Sequence, residues 1–181
     1  IPLPWSGRIW ARQYCNQNGT ECSLGDCGQP SCWGRSSKNT TLFELTSNAN
    51  GNLYDISLVD GYTCGLSIVP NDDTCENISC TRPPYLGEDH LTGQALCPVS
   101  NLILENADPE SSWFDAIGCL SDCSLYNTET FCCKPEDNSC LASNIWFKSA
   151  CPQAYSYAYD DETSSFYCGA SNTGFTIVFS C

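Results

Sequence analysis

The chain has 181 residues, 16 of them cysteine, and 21 acidic against 7 basic side chains, a formal net charge of -14. That length fits one large domain, or one domain with a small satellite, and a 41% hydrophobic share with 5 Trp and 9 Tyr excludes a disordered chain. The charge excludes nucleic acid and anionic membranes as partners, because their phosphates repel it, and no apolar run approaches the roughly 18 residues of a transmembrane helix.

There is no Met anywhere, so Ile1 reads as a mature terminus left after removal of a signal peptide. An even count of cysteines at this density reads as disulfides in an oxidising compartment. Zinc is the rival reading and needs Cys-x2-Cys pairs or interleaved histidines. The spacings here are Cys15-x6-Cys22, x4 to Cys27, x4 to Cys32, Cys75-x4-Cys80 and an adjacent Cys132-Cys133, with His90 the single histidine. Neither a metal nor a cofactor is expected. Three sequons, at Asn18, Asn39 and Asn77, agree with a secreted glycoprotein.

In chain order, the first predicted strand runs Arg8 to Tyr14, where Arg8, Trp10, Arg12 and Tyr14 alternate with Ile9, Ala11 and Gln13. Thr41 to Thr46 alternates again, with Leu42, Glu44 and Thr46 on one face. Leu53 to Val59 is a third strand, closed by the turn dipeptide Asp60-Gly61. Tyr62 to Val69 is a fourth, with Tyr62, Cys64, Leu66 and Ile68 on one face. Residues 75 to 151 hold nine of the cysteines and lose strand periodicity. Cys119 and Cys123, four apart within Gly118 to Cys133, allow a short helix. The end returns to strands: Tyr155, Tyr157 and Tyr159 alternate, and Phe175, Ile177, Phe179 and Cys181 share a face. The division expected is a β-sandwich core from residues 1–70 and 152–181 and a disulfide-rich lobe with a short helix from 71–151.

From Cys22-Ser23-Leu24-Gly25-Asp26-Cys27, with Gly28 and Cys32 following, the chain resembles the thaumatin-like family, the pathogenesis-related family 5 or osmotin-like proteins. The likeness continues through Gly7-Arg8-Ile9-Trp10-Ala11-Arg12, Thr41-Leu42-Phe43-Glu44, Tyr54-Asp55-Ile56-Ser57-Leu58-Val59-Asp60-Gly61, Phe131-Cys132-Cys133 and Cys151-Pro152-Gln153-Ala154-Tyr155-Ser156-Tyr157. It implies a mainly β fold, a flattened β-sandwich beside a disulfide-rich, loop-rich lobe with a cleft between them. It also implies the bridges Cys15–Cys22, Cys27–Cys32, Cys75–Cys168, Cys80–Cys151, Cys97–Cys119, Cys123–Cys132 and Cys133–Cys140.

Members of that family usually carry further strands and one more cysteine before the Gly7 to Arg12 stretch, and that cysteine pairs with the C-terminal one. Here only residues 1–6 precede the stretch, yet the cysteine count is even and Cys64 is the additional residue. Alternation places Cys64 with Leu66 and Ile68, and Cys181 with Phe179 and Ile177, so both point to an apolar sheet face. A Cys64–Cys181 bridge is therefore expected.

Similar proteins line the cleft with an Arg, a Glu and three Asp, matched here by Arg8, Glu44, Asp55, Asp60 and Asp160, with Asp161 adjacent. Glycoside hydrolysis needs one protonated carboxyl for the leaving oxygen and one ionised carboxylate as nucleophile or base. Clustering pushes one pKa upward and supplies the donor. Glu44 is the expected acid, Asp60 the base or nucleophile with Asp55 next, and Arg8 and Asp160 binding groups. The implied partner is β-1,3-glucan or a related wall polysaccharide, acted on by a monomeric, defence-related or antifungal protein with a weak endo-β-1,3-glucanase activity.

Other readings stand beside this one. The five residues could form a structural polar network. The cleft could hold glucan without cutting it, with Tyr62, Tyr85, Trp33 or Phe43 as stacking platforms rather than the commoner core or rim roles. The protein could inhibit a foreign glycosidase. A Ser-His-Asp triad would have to use His90, in the loop-like Gly87-Glu88-Asp89-His90.

Overall fold

A computed structural model describes residues 4–37, 39–81, 97–105, 116–133, 145–169 and 173–181. Its largest sheet has four strands: β1 (Trp5–Ile9), β2 (Leu42–Asn48), β3 (Gly51–Ser57) and, in strand order at the far edge, a late strand, Phe166–Cys168. A second, three-stranded sheet is built on β5 (Gly65–Pro70), flanked by β6 (Ile78–Cys80) and the final strand Phe175–Ser180. Between them in sequence lies β4 (Gly61–Tyr62), which pairs with β8 (Ala116–Leu120), and β8 pairs with the edge strand β7 (Leu102–Leu104). Four short helices follow β8: α1 (Asp122–Tyr126), α2 (Glu129–Cys132), α3 (Ile145–Ala150) and α4 (Asp161–Ser164). The late strands are then β9 (Phe166–Cys168) and β10 (Phe175–Ser180).

The core lies between the first two sheets. Period-2 alternation turns Phe43 and Leu45 of β2 and Tyr54 and Ile56 of β3 inward, against Leu66 and Ile68 of β5 and Ile78 of β6. Phe175 of β10 packs its ring 5.1 Å from Tyr54 and 6.1 Å from Phe43. Phe147 from α3 is fully buried in the same cluster. Phe43 and Tyr62, each 1% exposed, are core residues and not stacking platforms.

Four sequence expectations are corrected. The first strand is Trp5–Ile9 rather than Arg8–Tyr14. Beyond Ile9 the side chains bond the cysteine loop instead: Trp10 Nε1 donates to Gly25 O, and the Arg12 guanidinium donates to the carbonyls of Gly19, Gln29 and Pro30. Tyr62 to Val69 is split into β4 and β5, because the Thr41 hydroxyl accepts from the amides of Thr63 and Cys64 and donates to Cys64 O. Cys119 and Cys123 do not share a helix. Cys119 lies in β8, and the helix starts only after Ser121, whose hydroxyl accepts from Ser124 N as its cap. Tyr155 to Tyr159 is not a strand; Tyr155 makes one parallel bridge with Ser57 and the chain then turns.

Seven expected bridges are present: Cys15–Cys22, Cys27–Cys32, Cys64–Cys181, Cys75–Cys168, Cys80–Cys151, Cys97–Cys119 and Cys123–Cys132. Cys133 is also disulfide-bonded; Cys140, its expected partner, lies outside the described residues, as do His90 and Tyr85. Cys64–Cys181 continues the β5–β10 ladder one step past its last pair, Gly65 with Ser180. It closes a separation of 117 residues, against 5 for Cys27–Cys32. Because Cys75–Cys168 is nested inside it, the loop it closes is effectively the two segments from Cys64 to Cys75 and from Cys168 to Cys181, and in the chain-entropy treatment the two bridges are worth about 3.5 and about 2 kcal/mol. Paired Cys→Ser substitution of Cys64 and Cys181 should therefore lower the unfolding free energy by about 1.5 kcal/mol more than the same change at Cys27 and Cys32, as measured by guanidinium titration.

Candidate functional site

The outward face of the four-stranded sheet forms the floor of an acidic cleft. Pairing register places Arg8 opposite Glu44 and Glu44 opposite Asp55, so the three side chains stand in one row across β1, β2 and β3. Directly opposed residues bring Cβ atoms within about 4.5–5.5 Å, close enough for these charges to act on one another. A neighbouring row holds Ser6, Thr46 and Leu53, with Ser6 Oγ 2.8 Å from Thr46 Oγ1. The cleft beside the charged row has a volume of about 380 Å³, and its further lining includes Ser57, Asp60, Tyr155 and Asp161. A smaller hollow of about 270 Å³ lies on the other side of the row, over Ser6, Thr46 and Leu53.

Arg8 is the hub. Its guanidinium lies 3.2 Å from Glu44 Oε1 and 3.9 Å from Asp60 Oδ2. Asp60 reaches this position from the turn after β3. There Gly61 adopts φ +132°, and a Cβ would come within 2.8 Å of Cys119 O, so only glycine lets the chain pass from Asp60 into β4. The Asp60 carbonyl also accepts from Ser124 Oγ of α1. The far wall is Tyr155 to Asp161, joined to β3 by Leu58 N to Tyr155 O and Tyr155 N to Ile56 O. The Tyr155 hydroxyl donates to Asp161 Oδ1 at 2.7 Å.

Burial and crowding decide where protons sit. Asp55 is raised from the usual 3.8 to about 8, first by desolvation and then by the charges of Glu44 and Asp161, with Arg8 opposing them. Its Oδ1 is buried and makes no hydrogen bond among the described residues. Glu44 is raised as well, first by burial, while Arg8 and a hydrogen bond with Ser57 pull it down and Asp60 pushes it up. Tyr155 is raised by burial and by its bond to Asp161, so its hydroxyl stays a donor. The strongest proton holder of the row is thus Asp55, not Glu44, because Glu44 stands next to the guanidinium.

The structure does not bring Asp160 to the cleft. It is 8% exposed, and its Oδ2 lies 2.9 Å from Lys148 Nζ and accepts from both the amide and the hydroxyl of Ser156. Thr163 donates to Oδ1. Asp160 anchors the wall from behind, and its exposed neighbour Asp161 supplies the carboxylate to the cleft. Tyr155 and Ser57 were not singled out in the sequence, and the parallel bridge that juxtaposes them leaves no periodic signal. Trp33 is exposed and does not line the cleft.

Two outcomes follow from this geometry. Removing the buried Asp160 takes the charged acceptor from a half-buried Lys148 that keeps Ala154 O and Ser164 Oγ, so Asp160→Ala should cost about 1.5–3 kcal/mol, whereas Asp161→Ala at the exposed surface should stay within about 0.5 kcal/mol. Asp55 is protonated in the folded chain up to a pH near 8 but ionises near 3.8 when unfolded. Its stabilising contribution is complete below the lower value, declines as pH rises, and is gone above the upper one. The stability of Asp55→Asn relative to the wild type should accordingly rise from pH 4 to pH 8 by more than about 1.4 kcal/mol, one pKa unit's worth, in unfolding titrations at both pH values.

Comparison with known proteins identifies the family. The sequence model of the Thaumatin family matches residues 1–181. The chain is 37% identical over 183 residues to pathogenesis-related protein 5 of Arabidopsis thaliana, covering 94% of this chain and 70% of that protein. It is 36% identical over 191 residues to a glucan endo-1,3-beta-glucosidase of Prunus avium, covering 97% and 72% respectively. Among solved structures, the thaumatin-like xylanase inhibitor TLXI overlaps 99% of this chain and 73% of its own, with 14% identity and a TM-score of 0.45. The full-length family match and the two relatives above 35% identity establish that the chain belongs to the thaumatin family.

Proposed function

We propose that this chain is a secreted, monomeric, defence-related protein that binds β-1,3-glucan of cell walls in the acidic cleft and hydrolyses it slowly. The observation that carries the reading is the Arg8–Glu44–Asp55 row with Asp60 and Asp161 around it. It gathers a proton-bearing carboxyl and an ion-paired carboxylate on one open floor. The glucanase name of the Prunus avium relative supports the substrate class. Extensive disulfide bonding fits an oxidising, extracellular setting, and the negative charge favours neutral wall polymers over anionic membranes.

Glu44 and Asp55 act as one coupled pair, in which Asp55 is the member that burial keeps protonated. The pair protonates the departing glycosidic oxygen. Asp60, held against Arg8, attacks the anomeric carbon or takes a proton from the attacking water. Tyr155 and Asp161 hold sugar hydroxyls from the far wall. The acid role thus moves from Glu44, the sequence expectation, towards Asp55.

The test is release of reducing ends from soluble β-1,3-glucan by wild type, Glu44→Gln, Asp55→Asn and Asp60→Asn. Loss of a general acid or base should lower the rate by about 10²–10⁴-fold. Retention on insoluble glucan should persist in all four. Wild-type activity should fall as pH rises through about 8, where Asp55 gives up its proton. Retention without any release by wild type makes the cleft a recognition surface. Neither retention nor release removes glucan as the ligand.

A further inference from the structure

A further hollow lies apart from the acidic cleft. A groove of about 620 Å³ runs between the Cys22–Cys27 loop and the edge strand β7. Its floor is aliphatic: Leu102, Ile103, Leu104 and Leu120 are all only half-buried. Asp26 stands at its polar side, with Oδ1 accepting from Gly28 N. None of the residues lining the cleft lines this groove. Among the described residues no strand pairs with the outer side of β7, and its aliphatic side chains stay partly in water; covering them with an apolar face would be favourable.

Asn39 opens into this groove and begins the sequon Asn39-Thr40-Thr41. It adopts φ 60°, a left-handed conformation that Asn tolerates, and its backbone packs against Gly61, where a Cβ would lie 3.5 Å from it. Asn18 and Asn77, the other two sequon residues, are exposed and line no described hollow.

We propose that the groove seats an N-linked glycan carried by Asn39, whose first N-acetylglucosamine covers Leu102 to Leu104. In the attachment, Asn39 Nδ2 loses a proton and forms a bond to the anomeric carbon of the sugar. The bond that breaks joins that carbon to the pyrophosphate of a lipid-linked oligosaccharide donor, and the lipid pyrophosphate leaves. The step precedes folding, because the Thr41 hydroxyl that the sequon requires is buried in the folded chain, bonded to Cys64 O and to the amides of Thr63 and Cys64. Once the chain has folded, the C–H face of the pyranose and the acetyl methyl group lie on the leucines, and a hydroxyl faces Asp26. The hollow is of a size that holds drug-sized ligands.

The test uses the whole chain secreted from a glycosylating eukaryotic host. Glycopeptide mass spectrometry reads occupancy at Asn39. Hydrogen exchange then compares the wild type with Asn39→Asp, which keeps the side-chain shape and the tolerance of positive φ, and with Asn18→Asp as a control. Asn39 should be occupied. Its substitution should speed exchange of the Leu102–Leu104 amides by about ten-fold, with the Phe43–Ile56 amides of the core unchanged and no effect from Asn18→Asp. An unmodified Asn39, or a modified one whose loss leaves exchange at Leu102–Leu104 unaltered, overturns the proposal.

Discussion

The register of three antiparallel strands governs this molecule. With Arg8 opposite Glu44 and Glu44 opposite Asp55, the pleat sends Phe43, Leu45, Tyr54 and Ile56 to the core and the charged row to the opposite face. Core and cleft are two sides of one pairing. A slip of one residue in β2 would bury Glu44 and expose Phe43, exchanging a stabilising contact for an unpaired buried charge. The apolar side thereby holds the polar side in register, and the charged residues need not stabilise their own arrangement. This matters because the ion pairs of Arg8 are partly solvated and would contribute little on their own.

The far wall is set differently. No strand carries Tyr155 to Asp161; an ion pair to the buried Asp160 does. Lys148 of α3, Asp160 and Ser156 close a small polar knot under the loop, and the residues on either side of that knot, Tyr155 and Asp161, emerge into the cleft. Adjacent aspartates therefore have opposite tasks. One is neutralised in the interior and fixes geometry, and the other meets solvent and bonds the tyrosine hydroxyl.

Much of this was legible in the sequence, and the misses have physical causes. Alternation in β2, β3 and β10 was strong because each strand buries one face and wets the other. The same alternation placed Cys64 and Cys181 on facing positions. It misled at Arg8 to Tyr14 and at Tyr155 to Tyr159. In the first stretch the Arg12 side chain is held by carbonyls of the cysteine loop and the backbone of Gln13 pairs with Leu24 instead of a sheet strand; in the second the Asp160 carboxylate captures the Ser156 amide. Period alone carries no information about such local competition. The proton order within the acidic row was hidden for another reason. Glu44 and Asp55 are equivalent as letters, and only their unequal distance from Arg8 and from water separates them.

The Cys80–Cys151 bridge joins the two ends of the long stretch that lies between β6 and the end of α3. Cys64–Cys181 and Cys75–Cys168 tie the same two halves of the chain again. A peptidase that cuts anywhere between residues 81 and 150 consequently liberates no half of the protein. The severed pieces stay one covalent molecule, and β1, β2, β3 and β9 keep their partners. In a setting rich in hydrolases, backbone scission there changes the number of chain ends without dismantling the acidic floor.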